Sequence, residues 1–157
     1  MQDTITTIIN TLKAGMTTGH TTTDDYFVKT WYTGDPLALP SMECPAGAVF
    51  AKPGGPTSRN DVFVGEDTLI ETVSIRFYQE AVRKSGEASE VAAGMTRLIS
   101  MFETASKLLR TDPTFGSTFV TSKISNIDPQ LPGVAGSNVY RVCEITFSVT
   151  SRVLWGQ

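Results

Sequence analysis

The chain offers few side chains that could perform catalysis or hold a metal ion. His20 is its single histidine and lies in a stretch rich in Thr and Gly. A Ser-His-Asp or Cys-His arrangement would therefore depend on one loop imidazole. Asp24 and Asp25 follow it, but an adjacent acidic pair is more typical of a solvated turn than of a cation site. The sequence predicts no metal site and no histidine-dependent catalysis.

Three glutamates on predicted strands are the remaining candidates for acid-base chemistry, namely Glu71, Glu80 and Glu144. Such a site would need a concave surface where Glu71 or Glu144 meets an arginine. The arginines on the same predicted strands are Arg76 and Arg152. Strict alternation places Glu71 and Glu80 on opposite faces, and Glu144 lies among hydroxyl residues typical of a solvated face. We predict that the protein is not an enzyme, and keep a carboxylate-pocket enzyme or ligand-binding module as an alternative.

The two cysteines, Cys44 and Cys143, lie far apart and outside any C-x-x-C or Cys/His spacing. This pattern argues against a disulfide framework, a zinc site or a redox motif. Cys143 alternates with Ile145 and Phe147 on an apolar strand face, which indicates a small core residue. The phosphate-binding patterns G-x-x-x-x-G-K-[ST] and G-x-G-x-x-G do not occur, so we expect no cofactor.

Length and charge set the broad class of the protein. With 157 residues, of which 40% are hydrophobic, the chain is long enough for one compact domain, which we assign to residues 1–157. A formal net charge of -3 means that the chain lacks the excess of positive charge typical of proteins that bind nucleic acid or an anionic membrane. Neither a secretory signal nor an apolar run of about 20 residues is present. We expect assembly in the cytoplasm and no membrane partner.

Two segments carry the apolar spacing of amphipathic helices. In residues 4–13 apolar side chains recur on one helical face, and the helix is expected to end near Gly15. Residues 86–110 carry a broad apolar stripe. Gly94 in the middle of this second helix is tolerable if another backbone packs closely there.

The rest of the chain has strand and loop patterns. Strands are predicted at residues 45–52, 69–82, 118–126 and 139–154. A projecting loop is expected at 52–64 and a Pro/Gly loop at 129–136, while 16–45 predicts a strand with long loops, of which 17–25 could be disordered. One face of the sheet should pack on the helices and the other should be free. We therefore expect an α+β fold, a mixed or antiparallel twisted β-sheet with two amphipathic helices packed on one face and long projecting loops.

Three features favour an interaction or assembly protein over an enzyme. They are the 52–64 loop, a closing strand with a Thr/Ser face, and an aromatic cluster comprising Tyr26, Phe27, Trp31 and Tyr32. Long strands with hydroxyl-rich faces suit subunits that extend sheets across protein neighbours. A monomer with a solvated sheet face and a core tryptophan is the alternative.

The C-terminal half carries a family resemblance. A helix ending in KLLRTDPTFG at 107–116 is followed by a strand with ISNI at 124–127, a Pro/Gly loop and a closing strand VYRVCEITFSV at 139–149. These segments, and the order of elements along nearly the whole chain, resemble tail-terminator (tail-completion) proteins of long-tailed bacteriophages. A head-closure or neck connector protein is the alternative within the same class.

The resemblance implies a structural virion protein that forms a ring, usually a hexamer, on the head-proximal end of the phage tail. Such a ring ends polymerisation of the tail tube and offers a surface that joins the tail to the neck. The implied partners are further copies of the chain, the tail-tube protein, neck or connector proteins and, in sheath-bearing phages, the sheath protein. DNA would only pass through the pore.

Residue roles in such a ring follow by inference. Arg59, Asn60 and Asp61, at the expected tip of the 52–64 loop, are candidates for the contact with tube or neck. Aromatic anchors are enriched at protein interfaces. The candidate subunit-interface residues are Trp31, Tyr32 and Trp155, with core packing as the alternative for each.

Overall fold

The structure, a computed structural model, describes residues 2–53, 57–61, 66–81, 88–135 and 138–154. The helices are α1 (Gln2–Met16), a short 3-10 helix (Ser41–Glu43) and α2 (Ala88–Thr111). The strands are β1 (Thr30–Thr33), β2 (Ala46–Ala51), β3 (Thr57–Asp61), β4 (Glu66–Glu80), β5 (Thr121–Ala135) and β6 (Asn138–Leu154). The predicted α+β class, with two helices and a mixed sheet, is confirmed.

The six strands formed by the described residues belong to one sheet, in the order β1-β2-β4-β6-β5, with β3 paired to the beginning of β4. β1 and β2 run parallel, and the other pairs are antiparallel. The long β4–β6 ladder forms the centre, running from the Glu66–Leu154 pair to the Glu80–Tyr140 pair. β5 lies at the sheet edge opposite β1.

The main core lies between the two helices and one face of the sheet, which we call the inner face. Alternate residues of β4, such as Val73, Ile75 and Phe77, are fully buried there. They pack with the apolar stripe of α1, represented by Ile8 and Leu12, and with that of α2. The predicted helical and strand periodicities therefore converge on one core.

Gly15 lies near the end of α1 and allows a close contact between α1 and α2. The helix continues to Met16, and a Cβ at Gly15 would overlap the Leu108 side chain of α2. At Gly94 the nearest atom to such a Cβ among the described residues is Gln79 Cγ at 3.8 Å, so the condition of a closely packed backbone is not met there.

The opposite, outer face of the sheet is partly covered, contrary to the prediction that it is free. The loop at residues 34–44, in the connection between β1 and β2, packs across this face. Together with residues of the strands it forms a second apolar cluster. Its buried members are Leu39, Ala46, Ala48, Tyr78, Tyr140 and Val142. Leu39 is 1% exposed, and its carbonyl accepts a hydrogen bond from the Tyr140 hydroxyl. One buried leucine thus anchors a proline-rich loop that lacked any strand or helix pattern.

Residues 17–29 form turns with specific hydrogen bonds. The Thr17 hydroxyl donates to the Val28 carbonyl at 2.7 Å, and Thr21 N donates to Asp24 Oδ2 at 2.9 Å. Fully buried Val28 ties the end of the segment to the main core. These contacts favour the loop interpretation of this stretch over the disordered one.

Two loop predictions are wrong because their residues form strands. Residues 57–61 pair with 66–70 of β4, so much of the expected 52–64 loop is β3. The expected Pro/Gly loop at 129–136 lies largely within β5, where Pro132 pairs with Arg141 of β6. Proline is tolerated at a sheet edge, because the N–H that it lacks can be one that would face away from the neighbouring strand.

Candidate functional site

An ion-pair cluster on the outer face is the main polar feature of the described residues. Arg76 of β4 and Glu144 of β6 are directly opposite each other in the central ladder. Arg76 Nε donates to Glu144 Oε2 at 2.6 Å, and the guanidinium lies 4.9 Å from the centre of the Phe50 ring of β2. Cross-strand register therefore positions both charges, while the aromatic ring supports the cation.

The second carboxylate oxygen of Glu144 is also engaged. Ser74 Oγ donates to Glu144 Oε1 at 2.9 Å, and Lys52 Nζ lies 3.9 Å from the same oxygen. Lys52 Nζ also donates to Thr146 Oγ1 at 2.9 Å. Both oxygens of this carboxylate are thus held by neighbours on β4, β6 and the end of β2.

Asp35 connects the cluster to the loop over the outer face. Its Oδ2 accepts from Arg76 Nη1 at 2.7 Å, and its Oδ1 accepts from the Tyr78 hydroxyl at 2.5 Å. The sheet therefore holds the 34–44 loop by these two bonds as well as by the Tyr140–Leu39 bond. We call Asp35, Lys52, Arg76, Tyr78 and Glu144 the outer-face cluster.

The surroundings of Arg76, Tyr78 and Glu144 keep the arginine and the glutamate charged and the tyrosine neutral at neutral pH. Burial raises the pKa of Glu144, but hydrogen bonds from Arg76 and Ser74 and the charges of Arg76 and Lys52 outweigh it, and the net pKa is lowered. Burial lowers the pKa of Arg76, which its bond to Glu144 nonetheless leaves raised. Burial and the hydrogen bond to Asp35 raise the pKa of Tyr78.

The chemistry available to this cluster is limited by its own bonding. Two cations, Lys52 and Arg76, balance two carboxylates, Asp35 and Glu144, so the cluster has no net charge to attract an ionic ligand. A carboxylate held ionised by a guanidinium is a poor general acid, because it lacks a proton to give. The arrangement is suited to fixing the loop on the sheet.

Glu71 lies on the inner face, away from the outer-face cluster. It is 3% exposed and accepts a hydrogen bond from the Thr4 hydroxyl of α1. The sheet therefore separates Glu71 from Glu144, and the two cannot act as a carboxylate pair. Of the glutamate and arginine combinations suggested by the sequence, the structure brings together Glu144 and Arg76.

The other two predicted members lie elsewhere. Glu80 ends β4 opposite Tyr140, and Arg152 is exposed opposite Thr68. Arg152 is eight residues beyond Glu144 on β6, roughly 26 Å at strand spacing. Neither of them joins the Arg76–Glu144 pair.

Both thiols are in environments that disfavour nucleophilic attack. Burial, followed by the nearby charge of Glu80, raises the pKa of Cys44 to about 12. Burial, followed by the charge of Asp128, raises the pKa of Cys143 to about 12. Cys143 is 2% exposed and belongs to the main core, as its strand alternation predicts.

His20 lies in a turn and contacts Tyr26 and Asp24 of the same segment. Its Nδ1 lies 3.0 Å from the Tyr26 hydroxyl and 3.9 Å from Asp24 Oδ2, and the His20 and Tyr26 rings pack edge to face. Within the described part of the chain, no three His, Cys, Asp or Glu residues are grouped so that they could hold a metal ion. No helix among the described residues meets the length and hydropathy needed to cross a bilayer.

The predicted tube-contact residues do not lie at a loop tip. Arg59, Asn60 and Asp61 are part of β3 and pair with Thr68, Asp67 and Glu66 of β4 in that order. The residues that connect β3 to β4, 62–65, lie outside the described residues. A long-range pairing with β4 therefore turns the expected loop into one arm of a hairpin.

The predicted interface aromatics have different surroundings. Trp31 packs on the main core, with its Nε1 donating to Thr17 Oγ1 at 2.9 Å and its ring edge to face with Phe77. Tyr32 packs against the second cluster, and its buried hydroxyl has no hydrogen-bond partner in the described part of the chain. Trp155 lies outside the described residues. For Trp31 the structure favours the core-packing alternative.

Sequence reasoning missed Asp35 and Lys52 as members of the outer-face cluster. Lys52 follows β2, so strand pairing with β4 could have placed it near Glu144. Asp35 lies 41 residues before Arg76 in a proline-rich loop, and no local pattern indicates that it returns to the sheet. The outer-face cluster is thus a product of tertiary packing.

Comparison with known families and curated proteins adds no assignment to this geometry. No protein-family model matches the chain, and no curated protein matches it significantly. The class defined by the structure is an α+β protein with one mixed sheet, helices on its inner face and a clamped loop on its outer face.

Proposed function

We propose that this protein is a tail terminator of a long-tailed bacteriophage. In this role copies of the chain form a ring on the head-proximal end of the tail tube. The ring ends tube polymerisation and presents the surface to which the neck attaches. The protein would be part of the virion tail after assembly in the host cytoplasm.

The observation that carries the proposal is the order and layering of the elements. An amphipathic helix, a group of central strands, a second helix and two long closing strands agree with the layout of the family that the sequence resembles. Both helices pack on one face of the sheet. A tail-tube subunit is a less favoured alternative, because a β-sandwich would dominate its fold instead of two helices on one face of a sheet.

The bonding of the outer-face cluster supports an assembly role over the carboxylate-pocket alternative. Glu144 is paired through both oxygens, and the Glu71 carboxylate is bonded to Thr4 on the other face. Because the two glutamates lie on opposite faces of the sheet, they cannot act on one substrate as a general acid and a general base. A substrate would have to displace internal partners before reaching Glu144.

Tube capping can be tested directly with purified protein and its cognate tail-tube protein. The chain is added at increasing ratios to polymerising tube protein, and tube lengths are measured by negative-stain electron microscopy. We expect rings at one tube end, with a mean tube length that falls as the ratio rises. A terminator blocks addition of the next tube ring, so length must depend on its concentration.

Two controls separate the alternatives. Addition of the chain to finished tubes should mark one end without shortening the tubes. Addition to the portal complex tests a neck connector, which would bind the portal and leave tube growth unchanged. Tubes that grow to the same length without end rings would rule out the terminator proposal.

A further inference from the structure

The loop at residues 34–44 exposes large apolar side chains although it is held in place. Leu37 is 93% exposed and Met42 is 76% exposed, the two most exposed of the large hydrophobic side chains in the described residues. Between them, Leu39 is buried to 1%. Single exposed apolar side chains are common on protein surfaces. These two project from one anchored loop, which makes the loop a candidate interaction surface.

Several bonds fix the loop so that these side chains project from a rigid base. Asp35 is held by Arg76 and Tyr78, and the Leu39 carbonyl by Tyr140. Lys29 Nζ donates to the Met42 carbonyl at 2.5 Å. Prolines at positions 36 and 40 fix two backbone angles in the same loop. A rigid loop loses little conformational entropy on binding, which favours affinity.

An apolar groove of ≈ 450 Å³ lies on the other side of the molecule, between α2 and β5. Phe102 and Ile127 supply apolar surface in it, and Ile127 is 39% exposed. Ser106 also lines it, is 7% exposed, and its Oγ has no hydrogen-bond partner in the described residues. The groove therefore offers exposed apolar surface to a partner, whereas the Ser106 hydroxyl is buried in its wall.

The charges around the groove complement those of the loop. Lys107 and Arg110 line the groove with one acid, Glu103, and Lys123 lines the adjoining groove with Arg110. The loop segment 34–44 contains the acids Asp35 and Glu43 and no basic residue. Asp35 is bonded to Arg76 and Tyr78, which leaves Glu43 as the acid beside exposed Met42, with Lys29 bonded to the Met42 carbonyl next to it.

The loop and the groove are placed so that one copy can present both at once. The loop leaves the sheet from β1, whereas β5 borders the groove at the opposite sheet edge. The loop covers the outer face, while α2 packs on the inner face. Two different, non-overlapping patches that fit each other form a head-to-tail contact, which generates a closed ring or an open helix.

We propose that copies of this chain associate head to tail by inserting the 34–44 loop of one copy into the α2–β5 groove of the next. Leu37 enters the apolar part of the groove, and Glu43 faces Lys107 at its rim. This contact deepens the proposed function by naming the surface that builds the ring, and it rests on that function for its biological use. Its test requires no tail-tube protein.

Self-association is measured by sedimentation velocity over a concentration series. We expect Leu37→Asp and Ile127→Asp each to raise the dissociation constant at least about tenfold, since a central apolar anchor contributes that much or more. The matched control is Val120→Asp, because Val120 is 43% exposed and lines neither groove. Circular dichroism must show unchanged folding for all three variants.

A charge swap tests the rim contact independently of apolar surface. Glu43→Lys alone and Lys107→Glu alone should each weaken association, since each places like charges together. The double variant restores the opposite pair and should recover most of the lost affinity. Failure of the double variant to recover any affinity would overturn the assigned pairing of Glu43 with Lys107.

A mixing experiment tests the head-to-tail geometry. The Leu37→Asp chain keeps an intact groove, and the Ile127→Asp chain keeps an intact loop. Native mass spectrometry of the mixture should therefore show one-to-one heterodimers and nothing larger, while each variant alone stays monomeric. A mixture that behaves like its separate components would overturn the proposal, as would a wild-type chain that stays monomeric up to about 1 mM.

The outcomes distinguish this contact from the capping function. Head-to-tail association without tube capping would leave the contact standing and reject the terminator role. Rings on tube ends formed equally well by the Leu37→Asp chain would support the terminator role and reject the contact.

Discussion

The Arg76–Glu144 pair differs from an ordinary surface salt bridge in how little water reaches the carboxylate. The Glu144 side chain is 12% exposed and Arg76 is 29% exposed, and their 2.6 Å bond is reinforced by Ser74 and Lys52. Exposed pairs contribute about 0–1 kcal/mol, whereas removal of one member of a shielded pair leaves the other charge without its partner. The structural role of the outer-face cluster is therefore measurable.

Replacement of Glu144 by Gln tests this role at the level of a single charge. We expect Glu144→Gln to lower the free energy of unfolding by about 1–2 kcal/mol at neutral pH, since a hydrogen bond to a charged group is lost. The folded-state pKa of Glu144 is lowered from 4.5, so its contribution is present above pH 4.5 and is lost as the pH falls through the folded-state value. Denaturant unfolding from pH 7 to pH 3 measures both.

The wild-type and Glu144→Gln curves should therefore converge at acid pH. Glu103→Gln provides the control. Glu103 is exposed on α2, and its replacement by Gln removes the same charge as Glu144→Gln does. Its unfolding curve should follow that of the wild type throughout. A constant difference between wild type and Glu144→Gln across this pH range would show that shape, not ionisation, makes Glu144 matter.

Among the elements, those with a strong internal pattern could be predicted from sequence. α1, α2, β4 and β6 agree with their predicted bounds to within a few residues, because periodic apolar side chains define both the element and its buried face. β3 carries the polar sequence TSRND and depends on its pairing with β4. No periodicity in such a segment can reveal a partner that lies elsewhere in the chain.

The same distinction explains the candidate site. Alternation predicts that Arg76 and Glu144 lie on polar strand faces, but their contact requires knowledge that β4 pairs with β6 in this register. Asp35 reaches the site because Leu39 finds an apolar position beside Tyr140. Packing of one buried leucine thus determines the position of a charge four residues earlier, beyond the reach of local patterns.

Two glycines offer a prediction at the element scale. A Cβ at Gly47 of β2 would lie 2.6 Å from the Trp31 ring of β1, so Gly47→Ala should displace that ring and lower stability by about 1–3 kcal/mol. A Cβ at Gly94 would meet, among the described residues, Gln79 Cγ at an ordinary 3.8 Å, so Gly94→Ala should raise stability by about 0.5–1 kcal/mol through helix propensity. Thermal unfolding followed by circular dichroism measures both changes.

Tryptophan fluorescence distinguishes the cause of the Gly47→Ala effect. In a Trp155→Phe background, displacement of Trp31 from Phe77 and Thr17 should shift its emission to the red, whereas Gly94→Ala should leave it unchanged. Equal stability of Gly47→Ala and wild type would contradict the tight β1–β2 packing.

For the whole molecule, the two apolar clusters imply two levels of stability. The main core joins both helices to the inner face and includes residues from most strands. The second apolar cluster, on the outer face, is smaller and joins one loop to β2, β4 and β6. Release of the loop exposes Leu39 and breaks the bonds of Asp35 and Tyr140, but it leaves the main core intact. Local opening should therefore require less free energy than global unfolding.

Matched leucine truncations can separate these two levels. Leu12 is 0% exposed in the main core, and Leu39 is 1% exposed in the second apolar cluster. Leu12→Ala should lower the global free energy of unfolding by about 2–5 kcal/mol, because a cavity forms in the main core. Leu39→Ala should mainly favour opening of the 34–44 loop, which hydrogen exchange can resolve from global unfolding.

Hydrogen exchange followed by mass spectrometry should show faster exchange in residues 34–44 of the Leu39→Ala chain, including Glu43, whose amide donates to the Pro40 carbonyl. Amides of the central β4–β6 ladder should keep most of their protection, since their opening depends on the main core. In Leu12→Ala that protection should fall throughout. If Leu39→Ala instead lowers the protection of β4 and β6 as much as Leu12→Ala does, the loop and the sheet unfold as one unit. The projecting Leu37 would then depend on the stability of the whole fold.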